Sequence, residues 1–341
     1  MTETILEIKD LRVSYDTYAG EVQSVRGISF DVKKGETVAI VGESGCGKSV
    51  TAKSIMQLIA KPGRIKEGSS IVFDGRNVLK MSKKELRAYR GSDCAMIFQD
   101  ALTSLDPTMR VGKQIAEVLT IHGKCPKKEA AEKAVDLLRR VGIPNAELRA
   151  KEYPHQFSGG MRQRAMIATA LAGDPKLLIA DEPTTALDVT IQAQIIDLMK
   201  ELQQKTGAAI VLITHDLGVV ADIADRICVM YSGKIVERGA SADIFYRPKH
   251  PYTVSLLKAV PRLDLTNKQT LATIDGTPPD LLAPPAGCPF STRCKYCMPV
   301  CKEEMPGATA FGNGHEASCW LHDPRAPKVE GLFCETKEAC R

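Results

Sequence analysis

The stretch TVAIVGESGCGKSV, residues 37–50, places a short apolar strand directly before a glycine-rich loop and the start of a helix, which the pattern predicts from Lys48 to Ala60. The loop itself, GESGCGKS (42–49), has the spacing of a phosphate-binding loop. Its glycines let the backbone curl so that successive N–H groups point at one anion, and the helix N-terminus adds partial positive charge. We therefore expect Lys48 to reach the β- and γ-phosphates of a nucleotide and Ser49 to ligate Mg²⁺.

Two downstream segments read as buried strands, KLLIAD (176–181) and AAIVLITHD (208–216), with a helical segment between them. Continuous apolar strands that are each followed by a helix indicate a parallel sheet covered on both faces. Residues 5–15 instead alternate apolar and polar side chains, and residues 225–239 resemble two strands joined by a tight turn. The pattern predicts an α/β domain with an additional antiparallel part.

Acidic and basic side chains stand where the apolar strands end, which is the edge at which α/β sheets bind ligands. Asp181 and Glu182 close the first strand, and His215 closes the second. We expect Asp181 to belong to the Mg²⁺ shell, Glu182 to polarise the attacking water, and His215 to contact the γ-phosphate. An exposed acidic pair without function is the alternative, and the preceding phosphate loop makes it a weak one.

The length, the net charge and the distribution of apolar residues exclude several classes of protein. With 341 residues, 46 Lys+Arg and 41 Asp+Glu, the formal charge of +5 is too small to argue for a nucleic-acid partner. No secretory signal and no apolar run of about 20 residues is present, so we expect a cytosolic protein. Prolines cluster after residue 245 and periodicity weakens there, which predicts domains at 1–245 and 246–341.

Cysteines are concentrated in the C-terminal third of the chain. Their short spacings allow several sulfurs to converge on one centre, and a reducing compartment disfavours a disulfide framework. The closely spaced thiolates of residues 288–301, with no histidine between them, suit zinc or an iron–sulfur cluster, and unmetallated thiols remain an alternative. The residues concerned are Cys288, Cys294, Cys297, Cys301 and Cys319.

Six motifs in their order along residues 5–245 resemble the ATP-binding subunit of an ABC transporter. These are GESGCGKS, IFQD with Gln99, FSGGMRQR (157–164), LLIADEP, TALD (185–188) and ITHD. The stretch FSGGM stands where the family most often has Leu-Ser-Gly-Gly-Gln. The change spares the Ser158-Gly159-Gly160 centre, which can donate hydrogen bonds to phosphate oxygens.

The resemblance implies a P-loop ABC ATPase domain with a parallel sheet core, an antiparallel β subdomain and a helical subdomain around 100–170. A small cysteine- and proline-rich C-terminal domain would follow it. The implied ligands are ATP and Mg²⁺. The implied nucleotide contacts are Gly42, Glu43, Ser44, Gly45, Cys46, Gly47, Lys48, Ser49, Val50, Ser158, Gly159, Gly160, Asp181 and Asp188.

The family also implies that two such domains pair head to tail, with Ser158 and Gly160 of one domain facing the γ-phosphate bound by the other. Gln99 would help to organise Mg²⁺ and couple the site to a transmembrane partner, and Asp188 would communicate across the dimer. A tyrosine before the phosphate loop usually stacks on adenine. Tyr15 is the best match, with Tyr18 as an alternative.

The segments RPKHPYTVSLLKAVPRLD (247–264) and GTPPDLLAPPAGCPFSTRC (276–294) are similar to the tails of ATPases from bacterial oligopeptide, dipeptide and nickel importers. This implies ATP-driven import of short peptides by a subunit on the cytoplasmic face of the membrane. The implied partners are a homologous second ATPase subunit, two transmembrane permease subunits and, indirectly, an extracytoplasmic peptide-binding protein. Import of nickel or another small solute, and an ABC ATPase without transport, are the alternatives.

The same resemblance implies a ligand set for the cysteines. Relatives typically have cysteines at positions that match Cys288, Cys294, Cys301 and Cys319, a pattern that resembles a [4Fe–4S] site, with zinc as the alternative. The position of Cys297 is commonly a small residue in relatives, so this chain has an additional thiol there.

Overall fold

A computed structural model describes residues 3–100, 104–185, 187–259 and 274–333. Ala186 of the TALD motif and the end of the 247–264 segment lie outside these ranges. No helix within them is both long enough and apolar enough to cross a membrane. The described residues form two compact units. Unit 1 draws on residues 1–6, 31–37 and 72–214, and unit 2 on residues 7–30, 38–71 and 215–341.

The secondary structure alternates between strands and helices. The strands are β1 Thr4–Thr17, β2 Gly20–Lys33, β3 Thr37–Val41, β4 Gly63–Ile65, β5 Ser70–Phe73, β6 Arg76–Asn77, β7 Cys94–Ile97, β8 Leu177–Asp181, β9 Ala209–Ile213, β10 Arg226–Tyr231, β11 Lys234–Ala240, β12 Thr309–Ala310 and β13 Glu316–Ala317. The helices are α1 Lys48–Ile55, α2 Lys83–Tyr89, α3 Val111–Ile121, α4 Lys127–Arg140, α5 Ala146–Arg149, α6 Gly159–Leu171, α7 Val189–Thr206, α8 Leu217–Ile223, α9 Ser241–Tyr246, α10 Pro251–Lys258 and α11 Pro299–Glu303.

Unit 1 contains a parallel sheet in which β8 lies between β7 and β9. The register aligns Ile179 with Met96 on one side and with Val211 on the other. All three strands are buried along their whole length, as their continuous apolar sequences predict. The sheet therefore carries the acidic end of β8 and the residues that follow β7 to the same edge.

The helical part of unit 1 follows the 3.6-residue period of its sequence. Helix α4 buries Ala130, Ala134 and Leu138, which are four residues apart and so lie on one face. Helices α3, α4 and α6 pack against one another, and α6 also packs on β7. The predicted helical subdomain around 100–170 is therefore present, and it ends in the helix that begins with the signature motif.

Unit 2 builds its strands around β10. Strand β10 runs parallel to β3 and antiparallel to β11. Ser232 and Gly233 both have positive φ angles, 45° and 77°, which suits the tight turn of a two-residue hairpin. Strand β11 also pairs with β13 through Glu237 and Ala317, so the cysteine-rich C-terminal region extends this sheet.

The core of unit 2 mixes residues from both predicted domains. Apolar side chains of β3, β10 and α8 pack with an aromatic group and with cysteines from the C-terminal region. Its aromatic and cysteine members are Tyr231, Tyr252, Phe290, Cys288 and Cys301. A domain boundary near residue 245 stays a prediction from sequence.

One helix is shorter than its sequence pattern suggested. The pattern predicted a helix from Lys48 to Ala60, whereas α1 ends at Ile55. The prediction was wrong at this end because Gln57 adopts a left-handed conformation, with φ at 49°, which cannot continue a right-handed helix.

Candidate nucleotide site

The phosphate loop in unit 2 has the backbone that its glycines predict. Gly42 and Gly47 have φ angles of 149° and 103°. A Cβ atom at Gly42 would lie 2.1 Å from the carbonyl oxygen of Met230, and one at Gly47 would lie 2.4 Å from the carbonyl oxygen of Ser24. Only glycine fits either position, so the loop can lie directly against the neighbouring backbone.

Lys48 points back into this loop. Its Nζ donates hydrogen bonds to the carbonyl oxygens of Gly42 at 2.8 Å and Glu43 at 2.9 Å, and the side chain is buried. Ser49 follows in the first turn of α1. The loop therefore holds an ammonium group among its own carbonyls, where an incoming phosphate can meet it.

The remaining predicted loop residues differ in exposure. Ser44 and Gly45 are exposed, Val50 is half-buried, and Cys46 is buried. Burial raises the pKa of the Cys46 thiol, although the neighbouring Lys48 opposes the shift. At neutral pH Cys46 is therefore an uncharged side chain that packs beneath the loop.

Tyr15, the predicted adenine contact, lies in β1 opposite Gly63 of β4. It is half-buried, and burial raises the pKa of its phenol. Tyr18, the alternative, is fully exposed between β1 and β2. The adenine contact of Tyr15 therefore stays a prediction.

The carboxylates of unit 1 stand at the end of β8. Asp181 is buried at 2% exposure, and Glu182 follows with a left-handed φ of 48°. A non-glycine residue in this conformation costs about 1 kcal/mol or more, and such strain concentrates at functional sites. The Glu182 N–H donates to the carbonyl oxygen of Ile213 at 2.8 Å, which fixes the strained residue to β9.

Two side chains orient the Glu182 carboxylate. Gln99 donates from Nε2 to Oε2 at 3.0 Å, and Thr185 donates from Oγ1 to the same oxygen at 3.1 Å. The structure therefore brings Gln99 and Glu182 together, and the roles assigned to them stay predictions. The contact from Thr185 was missed in the sequence, although a hydroxyl three residues after Glu182 is a visible signal.

The signature motif starts a helix in unit 1. Ser158 caps α6, and its Oγ accepts a hydrogen bond from the N–H of Met161 at 3.3 Å. Ser158 and Gly159 are exposed, and no atom lies within 4 Å of a Cβ built at Gly159. An exposed, glycine-flanked helix N-terminus presents N–H groups to an anion.

Two further predicted residues have local roles in the structure. Asp188 caps α7, because its Oδ1 accepts from the N–H of Ile191 at 3.0 Å. His215 is exposed directly before Asp216, which caps α8. Their predicted roles, communication across a dimer and contact with the γ-phosphate, stay predictions.

Four predicted metal ligands line one small pocket in unit 2. The pocket residues are His250, Pro251, Cys288, Phe290, Ser291, Cys294, Tyr296, Cys301, Cys319, Trp320 and Leu321. The additional cysteine, Cys297, is not among them, and its thiol contacts the carbonyl oxygen of Met298 at 3.5 Å. The four cysteines that the resemblance implied as ligands therefore line one pocket, and their role as ligands stays a prediction.

The same pocket contains a polar atom without a partner. The His250 Nδ1 accepts from the N–H of Tyr252 at 3.0 Å, so a neutral ring carries its proton on Nε2. This Nε2 is buried and has no hydrogen-bond partner among the described residues. A buried donor without an acceptor indicates that the pocket is suited to an additional group.

Burial shifts the pKa of three of the four cysteines that line the pocket. Burial raises the pKa of Cys288 and of Cys319 to about 12 and that of Cys294 to about 11. Within the described ranges, no three His, Cys, Asp or Glu side chains are arranged to hold a metal ion. Burial therefore favours the protonated form of Cys288, Cys294 and Cys319.

Comparison with known proteins identifies the family of this chain. Residues 25–185 match the family described as ABC transporter, and residues 236–301 match the oligopeptide/dipeptide transporter, C-terminal region. The chain is 56% identical over 324 residues to the dipeptide transport ATP-binding protein DppD of Bacillus subtilis (strain 168), which covers 95% of this chain and 96% of that protein. The chain belongs to the ATP-binding subunits of ABC transporters.

A second relative of this subunit is the oligopeptide transport ATP-binding protein OppD of Salmonella typhimurium, 52% identical with 93% of each chain covered. Among solved structures, the ATP-binding cassette MJ0796 in a dimeric post-hydrolysis state with ADP and Pi has a TM-score of 0.64. It is 26% identical and covers 70% of this chain and 99% of its own. The fold predicted from the motifs, a mixed α/β ABC ATPase, is confirmed.

Proposed function

We propose that this subunit hydrolyses ATP to drive the import of dipeptides and oligopeptides across the cytoplasmic membrane. One observation carries the proposal. A single chain combines a phosphate loop built around Lys48 with a C-terminal region of the oligopeptide/dipeptide transporter type. Relatives at more than 50% identity over nearly the whole chain are named as dipeptide and oligopeptide transport ATP-binding proteins.

The proposed chemistry assigns one task to each polar group. Lys48 and His215 hold the γ-phosphate, and Glu182 removes a proton from the attacking water, oriented by the hydrogen bonds of its carboxylate. Ser49, Gln99 and Asp181 have the oxygen ligands that Mg²⁺ prefers. When bound, Mg²⁺ would neutralise charge on the phosphates.

The proposed assembly contains more than this chain. The exposed N-terminus of α6, with Ser158 and Gly160, would face the γ-phosphate bound by a homologous second ATPase subunit. Two permease subunits would hold the pair at the cytoplasmic face of the membrane, and an extracytoplasmic peptide-binding protein would deliver cargo. The dimeric state named for the structurally similar cassette supports this pairing.

Reconstitution tests the transport proposal. Proteoliposomes that contain the permease subunits, both ATPase subunits and the binding protein should take up a labelled tripeptide when ATP is supplied. The variant Lys48→Ala should abolish uptake. Uptake of nickel instead of peptide, or ATP hydrolysis without uptake of either, would contradict the proposed cargo.

We further propose that Cys288, Cys294, Cys301 and Cys319 hold a [4Fe–4S] cluster, with zinc as the alternative. The residues fit such a group, because the four thiols share one pocket with the unpartnered Nε2 of His250. The group would cross-link a region with little core of its own.

Analysis of the anaerobically purified protein tests the metal. About four irons and four acid-labile sulfides per chain are expected for a [4Fe–4S] cluster. The variant Cys319→Ser should lose iron, whereas Cys297→Ser should keep it. One zinc without sulfide would replace the cluster by a zinc site, and the absence of both metals would overturn the proposal.

A further inference from the structure

Glu43, the second residue of the phosphate loop, is held at its N–H, its carbonyl oxygen and its side chain. Its N–H donates to the phenol oxygen of Tyr252 at 2.9 Å. Its carbonyl oxygen accepts from the Nζ of Lys48 at 2.9 Å. Its carboxylate accepts from the Nη1 of Arg293 at 2.6 Å. Two of these partners, Tyr252 and Arg293, belong to the C-terminal region, and we call them the Glu43 anchor.

Arg293 is rigidly placed for this contact. Its side chain is 4% exposed, and its other donors reach the carbonyl oxygens of Asp275 and Ile274 at 2.9 Å each. Nη1 also contacts the phenol oxygen of Tyr231 at 3.2 Å. A planar guanidinium with so many of its donors engaged cannot rotate away from Glu43 without losing several hydrogen bonds together.

Tyr252 is equally constrained. The residue is fully buried, and its ring packs against Tyr231 at 4.6 Å and Phe290 at 5.3 Å between centroids. Its phenol oxygen therefore has a fixed position next to the loop. A buried hydroxyl on a packed ring acts as a stationary acceptor for the Glu43 N–H.

We propose that Tyr252 and Arg293 are positioning residues for ATP binding, which hold the phosphate loop through Glu43 in the form that receives the triphosphate. The link to the nucleotide is short. The Lys48 ammonium rests on the carbonyl oxygen of Glu43, so a displacement of Glu43 displaces the cation that binds the phosphates. The C-terminal region therefore contributes to ATP affinity without contacting ATP.

The Glu43 anchor also reaches the cysteine pocket. Arg293 directly precedes Cys294, and Tyr252 lies two residues after His250, which lines the pocket with the four cysteines. A change in the pocket moves both members of the Glu43 anchor. This extension, which rests on the proposed metal site, makes ATP affinity depend on what the cysteines hold.

Calorimetric titration with MgATP tests the proposal on the full-length chain in a Glu182→Gln background, which prevents turnover. Arg293→Gln and Tyr252→Phe should each weaken binding about tenfold, the effect of one lost hydrogen bond to a charged or buried group. The matched control is Arg325→Gln, which breaks an exposed pair with Asp323 in the same region and should change affinity less than about twofold. Unchanged affinity in both test variants would overturn the proposal.

A double-variant cycle separates positioning from general damage. If Arg293 acts through Glu43, then Arg293→Gln should weaken MgATP binding no further when Glu43→Gln is already present. Arg293→Lys should restore part of the affinity, because it keeps the charge. Additive losses, or losses that track only the unfolding temperature of the nucleotide-free protein, would show a structural role instead. Tyr252→Phe keeps the packed ring, so its MgATP affinity still tests the proposal if Arg293→Gln folds poorly.

A separate experiment tests whether ATP affinity depends on what the pocket cysteines hold. Cys294→Ser, with iron and zinc measured in the same preparation, should lower both metal content and MgATP affinity. Metal loss with unchanged affinity would remove the link to the pocket, while the result for Arg293 and Tyr252 would stand. A full metal content in Cys294→Ser would instead contradict the proposed ligand set.

Discussion

Two glutamates of the candidate site, Glu182 and Glu43, are held in different ways. In unit 1, Glu182 is oriented by Thr185, three residues away, and by Gln99 at the end of a neighbouring strand region. In unit 2, Glu43 is held by residues 209 and 250 positions later in the chain. The hydrolytic edge is thus built by adjacent motifs of one sheet, whereas the phosphate loop depends on the C-terminal region.

The difference predicts which regions of the chain affect nucleotide binding and which affect hydrolysis. Damage to the C-terminal region should reach nucleotide binding through Glu43, because the loop has long-range partners there. Damage at the edge of β8 should affect hydrolysis and leave binding in place, because the partners of Glu182 lie in unit 1. Four substitutions or conditions separate these outcomes.

The largest effect is expected on the hydrolysis rate when Glu182 is replaced. Glu182→Gln keeps an oxygen that can accept from Gln99 and Thr185 but removes the base, so the hydrolysis rate should fall about 100-fold or more while MgATP still binds. Steady-state hydrolysis and calorimetric binding measure the two quantities. Glu201→Gln, on the exposed face of α7, is the control. Near-normal hydrolysis in Glu182→Gln would remove Glu182 from the mechanism.

Gly42→Ala should break the phosphate loop itself. The new Cβ would lie 2.1 Å from the carbonyl oxygen of Met230, so strain and overlap should lower the free energy of unfolding by about 3 kcal/mol and abolish MgATP binding. Gly68→Ala is the matched control, since Gly68 also has a positive φ but has open space around it. It should cost only about 1 kcal/mol. Equal costs in urea unfolding would refute the clash argument.

Glu237→Gln tests the long-range side of the comparison. Buried Glu237 accepts from the N–H groups of Lys249 and His250 and contacts His315, so it fixes the segment that carries Tyr252. Removing one charged acceptor should lower the free energy of unfolding by about 2 kcal/mol. Glu316→Gln, which breaks a partly exposed pair, should cost less than about 1 kcal/mol. A Glu237 variant as stable as this control would contradict the role.

The smallest effect should appear in alkali at Cys94, in unit 1. Burial raises the pKa of Cys94 in β7 from 9.0 to about 12. Above pH 9 the unfolded chain releases this proton and the folded chain keeps it, so stability is complete below pH 9 and is lost as pH rises toward 12. Between pH 8 and pH 10 the wild type should lose about 1 kcal/mol more than Cys94→Ala. Cys125→Ala should keep the wild-type slope, and an unchanged slope in Cys94→Ala would contradict the burial argument.

The sequence was informative wherever one short segment determines geometry. The phosphate loop, the buried strands β8 and β9 and the helix α7 between them follow from glycine spacing, apolar runs and helical periodicity. The four cysteines predicted to act together line one pocket. Each of these features is encoded within a few residues, or in a motif that stands next to its strand.

Contacts between side chains that are far apart in the sequence could not be predicted. Nothing in the order of residues indicates that Arg293 reaches Glu43, because the contact depends on how the chain folds over 250 positions. The end of α1 was also mispredicted, because the apolar pattern does not show that Gln57 adopts a left-handed backbone conformation. Tertiary packing therefore decides which of the chemically suitable groups become partners.

The internal hydrogen bonds of Lys48 have a consequence for product release. A buried ammonium group that lost its phosphate partners would be costly if nothing replaced them. Here the carbonyl oxygens of Gly42 and Glu43 lie at 2.8 and 2.9 Å, ready to accept the cation when nucleotide leaves. The loop thus lowers the free-energy cost of emptying the site, which favours repeated turnover over permanent occupancy.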